Sequence, residues 1–134
     1  MNSLITLNET KTMALRSVFY IEDEPDIRTV VSLILSSRSI KVWQFESGAD
    51  AIEKATECVP ELILMDLTMD EMDGIETLER FRDIPGYQKI PCVFVTARID
   101  QPSHDAIDRF ENVSVIRKPF DPTTLVSELE EIVS

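Results

Sequence analysis

The chain has 134 residues, 43% of them hydrophobic, and its 25 Asp and Glu against 13 Lys and Arg leave a net charge of −12. That length fits one domain, able to bury roughly two-thirds of the surface its unfolded form exposes, and it excludes a multidomain enzyme. The acidic balance makes nucleic acid a poor direct partner, and the absence of a long apolar run argues against a signal peptide or membrane insertion, so the expected compartment is the cytoplasm.

Residues 1–16 are rich in Asn, Thr and Ser without a sustained period and read as a poorly ordered extension, with the folded domain spanning 17–134. Five short apolar runs then alternate with five amphipathic ones. The expected strands are Val18 to Ile21, Ile40 to Phe45, Leu62 to Met65, Cys92 to Val95 and Val113 to Ile116, each mostly β-branched or aromatic. The expected helices are Asp26 to Ser36 after Pro25, Ala49 to Cys58 capped by Ser47, Ile75 to Phe81, Pro102 to Phe110, and Pro122 to Val133 capped by Asp121. Strict alternation argues for an α/β fold: a five-stranded, doubly wound parallel sheet whose ligand site lies beyond the carboxyl ends of the strands.

Those strand ends carry the chemistry. Glu22 and Asp23 follow the first strand, Asp66 the third, Thr96 ends the fourth and Lys118 follows the fifth. Clustered carboxylates repel one another unless a hard cation holds them, and Mg²⁺ suits such oxygen donors. A carboxylate can also attack phosphorus to give an aspartyl phosphate, with Lys and a hydroxyl stabilising the transferred group. Asp66, alone at the central strand, suits the nucleophile. Glu24 is more simply a helix first-turn acid, and most of the eleven acids between Glu46 and Glu79 are a solvated surface. Cys58 and Cys92 lack the spacing for a zinc knuckle or a disulfide framework and read as reduced thiols. His104, the one histidine, reads as a surface residue of the fourth helix.

Four segments carry a family resemblance: Val18-Phe-Tyr-Ile-Glu-Asp-Glu-Pro25, Leu62-Ile-Leu-Met-Asp-Leu-Thr-Met-Asp-Glu-Met-Asp-Gly74, Val95-Thr-Ala97 and Arg117-Lys-Pro-Phe120. From about Ser17 to Ser134 the chain resembles the receiver domain of two-component response regulators, of the stand-alone chemotaxis CheY type. The resemblance implies a CheY-like, flavodoxin-like fold with strand order 2-1-3-4-5. It implies that Asp66 accepts a phosphoryl group from a histidine kinase or phosphotransfer protein, that Glu22, Asp23 and Asp66 with the Thr68 carbonyl hold Mg²⁺ or Mn²⁺, and that Thr96 and Lys118 bind the phosphoryl oxygens. It further implies a cis bond before Pro119, a signalling role whose only catalysis is its own phosphorylation and dephosphorylation, and a downstream effector meeting helix 4, strand 5 and helix 5. Such a protein is a monomer or a phosphorylation-dependent dimer.

Three departures stand out: Glu22 where the family more often has Asp, Asp70 in place of a loop proline, and Val115 where many members have an aromatic ring. Thr68 and Arg98, two beyond the acceptor and two beyond the site Thr, flank the path of attacking water in this resemblance. A haloacid-dehalogenase-type site would need an Asp where Thr68 stands, a dinucleotide site would need a Gly-rich first turn, and counting Gly74 as the sixth position of an EF-hand loop puts Met69 at the first. The remaining alternative is a receiver fold that serves as an interaction module and is never phosphorylated.

Overall fold

A computed structural model describes residues 14–69, 72–97 and 100–134. Asp70 and Arg98 lie outside the described residues. In chain order the elements are β1 (Ser17–Ile21), α1 (Pro25–Ser37), β2 (Lys41–Phe45), α2 (Gly48–Lys54), β3 (Leu62–Asp66), α3 (Gly74–Arg82), β4 (Cys92–Thr96), α4 (Gln101–Asp108), β5 (Val113–Arg117) and α5 (Leu125–Val133). All strand pairs are parallel, in the order β2-β1-β3-β4-β5. This is the expected doubly wound sheet, and its winding reverses between β1 and β3.

Burial explains why some strands read as unbroken apolar runs. β3 and β4 are buried along their whole length and β1 along all but its first residue, because helices cover both faces of the central sheet. The edge strand β2 keeps Lys41 and Gln44 exposed. Alternate residues divide into two cores. Phe19, Ile21, Ile63, Met65 and Phe94 pack on one face with Ala51, Leu78, Phe81 and Ile107, whereas Val18, Tyr20, Leu64, Val93 and Val95 pack on the other with Val31, Leu35, Leu125 and Leu129. Leu15, ahead of the expected domain start at Ser17, is buried in the second core.

The fourth helix ends at Asp108 instead of Phe110, and two helices differ more from expectation. The second ends at Lys54 instead of Cys58, because the Thr56 hydroxyl donates to the Glu53 carbonyl and Glu57 N–H to the Lys54 carbonyl, closing a turn that frees the chain to reach β3. The fifth begins at Leu125 instead of Pro122. Asp121 does cap, but what it caps is a preceding turn, in which its carboxylate accepts from the N–H and hydroxyl of Thr123.

Gly48 and Gly74 mark two close approaches. A Cβ on Gly48 would collide with the buried Thr77 side chain, so α2 and α3 meet there without a spacer. At Gly74 a Cβ would sit 2.7 Å from the Phe94 ring and 2.9 Å from the Asp66 carbonyl. The glycine therefore lets α3 start directly against the end of β3.

Candidate functional site: an acidic rim with one lysine

Each residue at this rim is placed by a strand end. Ile21 is in register with Phe45 and Met65, so Glu22 emerges beside the tip of β3. Pro25 opens α1 at once, since a missing N–H is harmless at the first helical position. Asp66 is in register with Val95, which sets Thr96 one residue further along the neighbouring strand, and Thr96 in turn is in register with Arg117. The Lys118 N–H donates to the Thr96 carbonyl at 2.8 Å, and the Lys118–Pro119 bond is cis.

The side chains converge. One oxygen from each of Glu22, Asp23 and Asp66 lies within 4.8 Å of the others. Lys118 Nζ is 3.3 Å from Asp66 Oδ2 and 3.8 Å from Glu22 Oε1. Glu22 is 2% exposed and Thr96 4%, while the Asp66 side chain keeps 12% of its surface open to solvent. Of the two acids, Asp66 is the carboxylate a reactant can reach, and Glu22 is the more buried, while Asp23 is also partly exposed. The other Asp66 oxygen, Oδ1, accepts from Thr68 N–H at 3.2 Å, which fixes the carboxylate plane.

Three carboxylates face one ammonium, and the consequence falls on Glu22. Burial first, and then the neighbouring Asp66 charge, push its carboxyl up from an ordinary value near 4.5 to about 7, against the opposing effects of the Glu24 N–H and Lys118. A carboxyl that resists ionising here is the expected signature of a site built for a cation. The donor set fits one: three carboxylate oxygens within mutual reach, with no sulfur or imidazole among them, match the oxygen preference and small radius of a hard divalent ion.

Two contributors were not foreseen. Arg28 reaches back from α1 to donate to the Glu22 carbonyl at 2.6 Å, and the Glu24 N–H donates to Glu22 Oε2 at 3.2 Å. Both hold Glu22 in place. The only signal for Arg28 is its position one helical turn into α1, which does not distinguish it from a surface arginine. Beside Lys118 an apolar cleft of about 530 Å³ runs between Ile27, Val30 and Phe120, and Val30 and Leu33 on α1 are more than half exposed.

Residues 18–130 match the family model for the response regulator receiver domain. The chain belongs to the response regulator receiver family. This receiver is 37% identical over 120 residues to the response regulator protein VraR of Staphylococcus saprophyticus, covering 87% of this chain and 54% of that one. It is 31% identical to the response regulator receiver protein CpdR of Brucella abortus, covering 88% and 97%. In three dimensions it is similar to the chemotaxis protein CheY4 of Vibrio cholerae, with a TM-score of 0.82, 25% identity and coverage of 89% and 99%. Receivers are signalling modules that work with histidine kinases and effectors rather than conventional enzymes. No described helix is long and apolar enough to cross a membrane.

Proposed function

We propose that this receiver is a phosphoryl acceptor of a cytoplasmic two-component or phosphorelay pathway, with Asp66 as the nucleophile. The observation that carries this reading is the asymmetry of the rim: Asp66 alone combines partial exposure with a lysine 3.3 Å away and a backbone N–H fixing its other oxygen. Such a carboxylate would attack the phosphorus of a phosphoramidate, its bond to phosphorus forming as the donor's imidazole leaves.

The chain's own groups divide the remaining work. The Lys118 ammonium, released from Asp66 Oδ2 as that oxygen's charge falls, would bind a phosphoryl oxygen, and the Thr96 hydroxyl at the adjacent strand end would bind another. Glu22, Asp23 and Asp66, with the Thr68 carbonyl, would hold Mg²⁺ or Mn²⁺. When bound, that cation supplies neutralisation of phosphoryl-oxygen charge. The extra methylene of Glu22 goes with a buried side chain, whose carboxylate accepts from the Glu24 N–H while Arg28 holds the residue's backbone carbonyl. The largely apolar cleft beside Lys118 would offer a donor protein a landing surface next to the carboxylates.

Output would pass through α4, β5 and α5. Val115 is half-buried against the first core, so it packs instead of swinging, and the partner would sense movement of the backbone between β4 and β5.

With a small-molecule phosphodonor and Mg²⁺, intact-mass measurement should show one phosphoryl added to the wild type and none to Asp66→Asn. Equal addition to the variant would sink the assignment, and no addition to either, with any donor, would favour the unphosphorylated interaction module. Amide exchange with and without beryllofluoride should also change between Thr96 and Arg117. Changes confined to the Asp66 loop would remove the α4-β5-α5 face from the output.

A further inference from the structure

Along the outer edge of the sheet, β5 and α5 enclose a groove of about 610 Å³. Its floor is apolar, with Val115, Ile116, Phe120 and Ile132 all half-buried. Its rim is acidic. Glu128 and Glu131 stand three residues apart on α5, both exposed, and among the described residues neither carboxylate is paired with a lysine or arginine. Asp121 adds a third acid at the groove mouth, against one base, Arg117.

Like charges at this spacing on one helix face repel, so although Glu128 in the first turn suits the helix N-terminus, its pairing with Glu131 adds no stability to α5. A cation laid between them would relieve that repulsion, while an acidic partner would add to it. The apolar floor meanwhile favours a hydrophobic side chain, since an exposed apolar strip bordered by charge is stabilised by being covered. We propose that this groove takes a basic amphipathic segment of the downstream protein, which sets Lys or Arg against Glu128, Glu131 and Asp121 and seats an apolar side chain on Ile116, Phe120 and Ile132. The inference rests on the reading of α4, β5 and α5 as the output face and adds the chemistry of what docks there. The groove adjoins the site along the chain: Arg117 is in register with Thr96, and Phe120 follows Lys118 by two residues.

The rival explanation for any binding is bulk attraction of cations to a protein of net charge −12. The probe is therefore a 15-residue helical Lys/Leu peptide with one apolar stripe, compared with a permuted peptide of the same composition and with a Glu/Leu peptide. Amide shift mapping should place the amphipathic basic peptide on residues 115–121 and 128–132, with the permuted peptide at least tenfold weaker and the acidic one silent. Glu128→Lys with Glu131→Lys should weaken binding about tenfold. Glu53→Lys with Glu57→Lys, the same charge change on and just beyond the exposed face of α2, should leave it within twofold. Both double variants should still take up a phosphoryl group, which shows that they fold. Equal binding of the permuted peptide, equal loss from the α2 control, or shifts centred elsewhere would overturn the groove. Groove binding that is identical with and without beryllofluoride would support the groove while counting against phosphorylation-dependent output, so the two readings fail separately.

Discussion

At the amino-terminal end of the sheet, Arg82 donates to the carbonyls of Tyr87, Ile90 and Glu111 at 2.7, 2.9 and 3.0 Å, and the buried Tyr87 hydroxyl donates to the Cys58 carbonyl. At the carboxyl end, Glu22, Asp23 and Asp66 crowd together, with the Lys118 ammonium close to Glu22 and Asp66. The first pole pairs each of these donors with acceptors and ties together the segments entering β3, β4 and β5. Tyr87 adds a stacked contact with Phe81, ring centroids 5.4 Å apart. The second pole keeps like charges in contact, and burial together with the Asp66 charge raises the Glu22 carboxyl to about 7. Stability is concentrated where polar groups are satisfied, and reactivity where they are not.

The largest expected effect lies at the charged pole. Because the folded state raises the Glu22 carboxyl from near 4.5 to about 7, it holds a proton through that interval that the unfolded chain has already lost. Metal-free stability should therefore fall as pH rises from about 4.5 to about 7, by on the order of 3 kcal/mol in all, and be flat with respect to this group on either side. Glu22→Gln should remove the fall, and thermal melts across that range would check it. If the variant keeps the same slope, the crowding at the rim is not felt by Glu22.

The opposite pole should answer with the opposite sign. Arg82→Ala leaves three carbonyls without their shared donor and should cost about 2 kcal/mol in urea denaturation, with Mg²⁺ affinity unchanged. Tyr87→Phe, which strands only the Cys58 carbonyl, should cost about 1 kcal/mol. A loss of Mg²⁺ binding in either would mean that the two poles are coupled through the sheet.

The smallest expected change sharpens the contrast. Asp23→Asn should raise metal-free stability by about 0.5 kcal/mol, through relief of like-charge repulsion, while weakening Mg²⁺ binding about tenfold or more by titration. A clear loss of stability instead would show that Asp23 is structural, as Arg82 is.

What the sequence by itself determined was the set of strands, their parallel winding and the five side chains brought to one rim. Period-two burial and short apolar runs are local properties, and a parallel doubly wound sheet sends every strand's carboxyl end to the same side, so Glu22, Asp66, Thr96 and Lys118 had to meet there despite wide separation along the chain. What only the tertiary structure decided was everything that depends on facing surfaces. The helix ends at Lys54 and Leu125 were set by side-chain hydrogen bonds of Thr56 and Asp121, which compete with the helix by margins too small for pattern to resolve. The burial of Glu22, the reach of Arg28 to its carbonyl and the three-carbonyl grip of Arg82 have no periodic signature, because an arginine's long chain meets its partner only after the backbone is in place. The groove between β5 and α5 is of the same kind: Glu128 and Glu131 read as ordinary solvated acids until the fold lays an apolar floor beside them.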